Sequence, residues 1–125
     1  MALLEDLATY LTAQSQIGGA SGWSHSVGFF PDAPDQLVGL FQFAGRFPLQ
    51  GITLERPGVQ IRVRAATYPA AQAKAYALFD LLNDAAPAAV TNVRYWHAVG
   101  SPFPLGQDGA QRPEFVLNYD VGVSR

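Results

Sequence analysis

The residues of this chain best suited to chemistry near neutral pH are two histidines, His25 and His97. An imidazole can bind a metal ion or move a proton, and both roles need further ligands or a base close by. Neither histidine belongs to an HxH or HExxH spacing, and no cluster of acidic residues stands beside either one. We therefore expect no metal site, with His25 on a solvated strand and His97 packed at the margin of a sheet.

Nucleophilic and phosphate-binding patterns are also absent from the sequence. Ser21, Ser24 and Ser26 lie close to His25, but there is no G-x-S-x-G turn, and neighbours on one strand rarely form a catalytic triad. The glycine-rich stretch Gly18–Gly22 follows a predicted helix rather than a strand, which does not match a P-loop. The chain has no cysteine, which excludes thiol nucleophiles and Cys-based zinc sites. We expect no catalytic residues and no cofactor, and an enzyme of unnamed class is the weakest alternative.

The densest basic group of the chain contains Arg46, Arg56, Arg62 and Arg64. From residue 55 to 65 apolar and polar residues alternate, which predicts a strand with Arg62 and Arg64 on its polar face. Water can cover such a face, or an anionic surface of another subunit can contact it, and both interpretations stay open. Since only 14% of the residues are charged, against a typical ~25%, part of the surface is expected to lie against neighbours. Charge reversal at both arginines should then leave the subunit folded.

Two helices and about five strands are predicted to position these residues. Apolar residues at helical spacing predict helices over 2–16 and 69–84. Alternating or continuous apolar runs predict strands over 22–30, 37–43, 55–65, 93–99 and 115–123, with a loop over 45–53, where Arg46 is exposed. Residues 101–113 contain the turn chemistry of a hairpin end or a projecting loop. No repeat or linker divides the chain. We predict one α+β domain over residues 1–125, with a mixed, mainly antiparallel sheet and two helices packed on one face.

The composition restricts the classes of partner. A net charge of −2 offers no general attraction for nucleic acid. Glu5 and Asp6 stand where a signal peptide would be positively charged, and no apolar run approaches the ~20 residues that span a bilayer. We expect a soluble protein made in the cytoplasm, without sequence-specific nucleic-acid or membrane binding.

Aromatic residues are plentiful for a core of this size. Two helices can cover one face of the predicted sheet, so the other face needs water or a partner. We expect one or two residues of a phenylalanine-rich group to lie outside the core; the group contains Phe29, Phe30, Phe41, Phe43 and Phe47. A small ligand-binding or regulatory domain, with an apolar pocket beside Trp96, Tyr95 or Phe41, is an alternative.

The order of several short phrases resembles the tail terminator, or minor capsid, proteins of long-tailed, siphovirus-type bacteriophages. These phrases span most of the chain, from about residue 3 to 123. They are Val27–Pro31, Pro34–Asp35, Arg56–Arg64, Tyr68 followed by the alanine-rich helix through Leu81 and Leu82, Pro104–Asp108 to Arg112, and Phe115 with Asn118 on the last strand.

The resemblance implies an α+β subunit that joins a hexameric ring on the completed tail tube, at the head-proximal end of the virion tail. The implied partners are other copies of the chain, the tail tube protein and a head-completion protein. Capping would be steric, because one ring face matches the last tube ring and the other accepts no more tube protein. We expect residues 101–113 to be mobile in the free subunit and ordered in the ring. The candidate assembly interface contains Arg46, Arg62, Arg64, Gln107, Asp108 and Arg112.

Overall fold

The computed structural model describes residues 3–18, 21–46, 54–82 and 92–124 of the chain. Within these residues the elements follow in the order α1 (Leu3–Ala13), β1 (Ser24–Val27), β2 (Leu37–Arg46), β3 (Leu54–Arg64), α2 (Tyr68–Leu82), β4 (Val93–Ala98), β5 (Phe103–Gln107) and β6 (Pro113–Ser124). Residues 47–53 of the first predicted loop and residues 83–84 of the second predicted helix lie outside the described residues.

The strands form one mixed sheet in the order β1-β2-β3-β6-β4, with β5 also paired to β6. Among the described strand pairs, β1 and β2 are parallel and the others are antiparallel. The predicted α+β class with a mainly antiparallel sheet is therefore confirmed. Of the two alternatives for residues 101–113, the hairpin end is confirmed, because β5 and β6 pair antiparallel on either side of residues 108–112. The strand β5 itself was not predicted, since Pro104 interrupts the pattern that marks a strand.

Both described helices follow apolar stripes at helical spacing. Glu5 and Asp6 lie in the first turn of α1, where carboxylates interact favourably with the positive end of the helix dipole. The stripe of α1 buries Leu3, Leu4, Leu7, Ala8 and Leu11, and that of α2 buries Ala71, Ala75, Leu78 and Leu82. Neither described helix is long and apolar enough to cross a membrane.

The core joins these stripes to one face of the sheet. The register aligns Ile61 of β3 with Leu40 of β2 and Leu117 of β6, so the three side chains share a face. All three belong to one buried cluster that also contains Leu11 of α1 and Leu78 of α2. We call this side of the sheet the helix face, and the side formed by the alternating residues the second face.

Candidate assembly surface

The second face carries the arginines that the sequence analysis selected, in rows that run across the strands. Strand register sets these rows, because directly opposite residues point to the same side. The rows are Phe41, Gln60 and Asn118; Gly39, Arg62 and Val116; and Leu37, Arg64 and Glu114. The two rows with arginines lie toward the start of β2.

Arg64 finds its partners inside its own subunit. Its side chain is buried, with the residue 2% exposed. The guanidinium donates hydrogen bonds to the backbone carbonyls of Pro31 (2.7 Å), Pro34 and Asp35 (3.5 Å). Burial lowers the pKa of this guanidinium below its usual range. These carbonyls belong to residues 28–36, which fold back over the arginine rows and which we call the covering loop.

Arg62 also binds within the subunit. It forms an ion pair with Glu114, whose carboxylate side chain is 8% exposed. Its guanidinium carbon lies 4.5 Å from the centre of the Phe30 ring, a cation–π distance. Phe30 can approach because position 39 is glycine, where an added Cβ would meet the ring at 2.6 Å. The sequence analysis considered water and another subunit as partners of these arginines. The fold instead supplies partners for Arg62 within its own subunit.

Arg112 ties the covering loop to the turn between β5 and β6. Its guanidinium donates to the carboxylates of Asp108 (2.9 Å), Asp32 (2.8 Å) and Asp35 (3.1 Å). Hydrogen bonds from Arg112, first of all from its backbone N–H, lower the pKa of Asp108, and the bond to Asp108 raises the pKa of Arg112. We call these four residues the Arg112 clip.

Four of the six predicted interface residues surround the covering loop: Arg62, Arg64, Asp108 and Arg112. Gln107 is exposed at the end of β5. Arg46, predicted in a loop, instead ends β2 opposite Arg56, about 30 Å along the strand from its start. Contact of these residues with another subunit stays a prediction.

Beyond the covering loop the second face has an open groove. Phe41 and Phe43 of β2 line one side and Val99 lines the other, above a floor that includes Gln60 and Asn118. The groove has a volume of about 780 Å³. Phe43 is 46% and Val99 63% exposed, so apolar side chains face solvent on both sides. We call this feature the aromatic groove.

Close contacts shape the walls of the aromatic groove. The Phe43 ring lies over Gly58, where an added Cβ would come within 2.0 Å of ring atoms. Beside the opposite wall, Tyr95 stacks on His97 with ring centres 5.3 Å apart, and the Tyr95 hydroxyl lies 3.4 Å from an Asp120 carboxylate oxygen. The predicted position of His97 at the sheet margin is confirmed, because β4 is an edge strand.

The other sequence expectations can be located on this structure. His25 is exposed on β1, as predicted. Phe29 is 61% exposed and joins Phe43 outside the core, which confirms that the aromatic group exceeds the core. Trp96, proposed as a neighbour of a ligand pocket, is buried against Tyr119, with ring centres 5.2 Å apart.

The sequence analysis named Phe41 beside an apolar pocket, and Phe41 lines the aromatic groove, but sequence reasoning missed the other lining residues. The floor of the groove joins Gln60 to Asn118, 58 residues apart, through a hydrogen bond of 3.2 Å. Alternation showed that each residue faces away from the helices but could not align the two strands. Within the described ranges, no three His, Asp or Glu side chains are grouped as metal ligands. The groove offers apolar area, two neutral amides and the carboxylate of Asp120, which suit contact with a polypeptide surface.

A family model described as "Bacteriophage tail terminator protein" matches residues 8–124. The matched range contains all six strands, the covering loop, the Arg112 clip and the aromatic groove. No curated protein matches the chain.

Proposed function

The chain belongs to the bacteriophage tail terminator family, and we propose that it forms a hexameric ring that caps the head-proximal end of the tail tube. It is a structural protein of the phage tail. In this proposal the ring stops tube growth with one face and joins a head-completion protein with the other. The chain works by steric fit, without catalysis.

The aromatic groove is the observation that carries this proposal beyond family membership. A protein that works alone in solution rarely leaves several large apolar side chains together on one face. Here Phe43 and Val99 are about half exposed on opposite sides of one groove. The low charged fraction of 14% gives this surface little solvating charge. An exposed apolar surface with little charge is typical of a subunit that functions in contact with neighbouring subunits.

The ring is expected to form on a template. A contact of standard size covers about 800 Å² on each partner, and without strong anchors its affinity can be only micromolar. A finished tube end holds six subunits in register, so each later contact becomes effectively intramolecular. We therefore expect a largely monomeric chain at low micromolar concentration in the host cytoplasm, and a ring on the virion tail.

Analytical ultracentrifugation with and without purified tail tubes tests the proposal. The free chain should sediment as a 13.4 kDa species, and the material bound per tube end should correspond to six copies, about 80 kDa. Tubes preincubated with unlabelled protein are the control and should bind no more. A permanent hexamer in dilute solution refutes the templating step, and no binding to tubes refutes the terminator function.

A further inference from the structure

The aromatic groove has the width of one extended polypeptide segment. Its walls stand on β2 and at the end of β4, with β3 and β6 between them. Three strand spacings separate the walls, about 14 Å between backbones. A β-layer packs about 10 Å from the layer beneath it, so a single strand can lie between side chains that rise from the two walls.

The floor of the groove matches the hydrogen-bonding groups of a peptide backbone. Gln60 donates through Nε2 to Asn118 Oδ1. This bond leaves Gln60 Oε1 as an acceptor and the Asn118 amide as a donor. A peptide group presents one N–H and one C=O, and can therefore bind both. Together with the Asp120 carboxylate, which also lines the groove, these neutral amides disfavour an anionic ligand.

The described residues include one exposed strand of suitable character, β5. All five of its residues, Phe103–Gln107, are exposed, and it pairs with β6 alone. Phe103 is 44% and Leu105 52% exposed. Five extended residues span about 17 Å, and Pro104 restricts the strand to an extended conformation before it binds. Apolar side chains on a preformed strand complement the apolar walls of the groove.

The same proline argues against simple addition of another strand to this edge. Pro104 has no backbone N–H to donate, and proline on an edge strand blunts pairing with other chains. β5 is therefore better suited to insert its side chains into a surface than to extend a sheet.

The charged residues near these two surfaces are paired inside the subunit and do not suggest a different, electrostatic contact. Arg62 is paired with Glu114, and Arg112 with Asp108, within the subunit. Asp120, which lines the groove, accepts a hydrogen bond from the hydroxyl of Tyr95. Two surfaces whose flanking charges are satisfied internally can meet without desolvating an unpaired ion.

We propose that β5 of one copy docks into the aromatic groove of the next copy. The groove of one copy cannot fill the groove of another, and β5 of one copy does not fit against β5 of another. The contact therefore joins two different surfaces, the groove of one copy and β5 of the next. Head-to-tail contacts of this kind form a ring when the rotation between successive copies closes, and an open filament when it does not. This inference rests on the proposed ring and names the surfaces that build it.

Single-cysteine variants test the contact, because the chain has no cysteine of its own. Val99→Cys and a size-tagged Leu105→Cys are mixed well above the expected micromolar affinity and treated with a short bismaleimide. Both positions are more than half exposed, so the variants should fold. We expect a mixed dimer, and no dimer from either variant alone. Tyr76→Cys, 40% exposed on α2, replaces Val99→Cys in the control and should give none.

A substitution that disrupts the proposed contact provides a second test, with self-association as the measured quantity. Leu105→Asp would bury a charge against the groove and should weaken self-association roughly tenfold or more by sedimentation. Tyr76→Asp is the matched control and should leave association unchanged. Equal association of the two variants overturns the proposal.

The remaining outcomes separate this inference from the terminator function. Dimers from one cysteine variant alone indicate a symmetric contact and overturn head-to-tail docking. Cross-linking of Val99→Cys to tube protein, instead of to a second copy, assigns the groove to the tube and also overturns it. Tube binding without a mixed dimer refutes the docking alone. A mixed dimer without tube binding refutes the terminator function alone.

Discussion

Replacement of Arg64 by methionine should destabilise the subunit by about 2–4 kcal/mol. Three backbone carbonyls lose a charged donor, and hydrogen bonds to charged groups are worth about 1.5–3 kcal/mol each. Two effects reduce the sum. Removal of a buried cation returns its desolvation cost, and the covering loop can regain water at its outer surface. Methionine keeps the apolar stem that packs in this site, so the loss reports mainly the hydrogen bonds.

Thermal unfolding by circular dichroism measures this effect. For a domain of this length each kcal/mol corresponds to a few degrees, so Arg64→Met should lower the Tm by about 10 °C. Arg94→Met is the matched control, because Arg94 is exposed on β4 and should change stability by less than ~0.5 kcal/mol. Arg64→Lys should lie between the two, since the charge stays but the planar fork is lost. If Arg64→Met and Arg94→Met melt together, the covering loop is not held by Arg64.

The burial of Arg64 changes the result expected for charge reversal on this strand. Charge reversal at Arg62 and Arg64 was expected to leave the subunit folded because both side chains were taken as exposed. Arg64 is 2% exposed and faces three carbonyl oxygens. A glutamate there would set a buried negative charge against these acceptors, which is strongly destabilising. The double variant therefore cannot report on assembly alone.

Two further perturbations test the clip and the groove. The pKa of Asp108 is lowered from its ordinary 3.8, so the charged carboxylate stabilises the fold fully above that pH. This contribution is lost as the pH falls through the lowered pKa. The Tm of the wild type should therefore drop more steeply below about pH 4 than the Tm of Asp108→Asn, and parallel curves would contradict the role of the clip. Gly58→Ala would push its Cβ into the Phe43 ring and should cost about 1–3 kcal/mol in urea unfolding. Gly109→Ala has no atom within 4 Å and serves as its control; equal midpoints would show that the Phe43 ring does not need the glycine.

Much of the architecture could be predicted from the sequence, because local periodicity reports which side of an element is buried. The alternation of Val59, Ile61 and Val63 predicted both the strand and its buried face, and the structure places all three in the core. The stripes of the two helices were recognisable for the same reason. The order of short phrases along the chain also indicated the tail terminator family, which the family model confirms.

The partners of the polar residues were decided by the tertiary structure alone. Periodicity states that Arg62 faces away from Ile61, but the register of β3 against β6 brings Glu114 to it across 52 residues. The Arg112 clip similarly joins Asp32 across 80 residues. A two-residue repeat carries no information about which strand lies alongside or at what offset. Which arginines are buried, and which apolar side chains remain exposed in a groove, therefore depends on strand order and loop path rather than on local sequence.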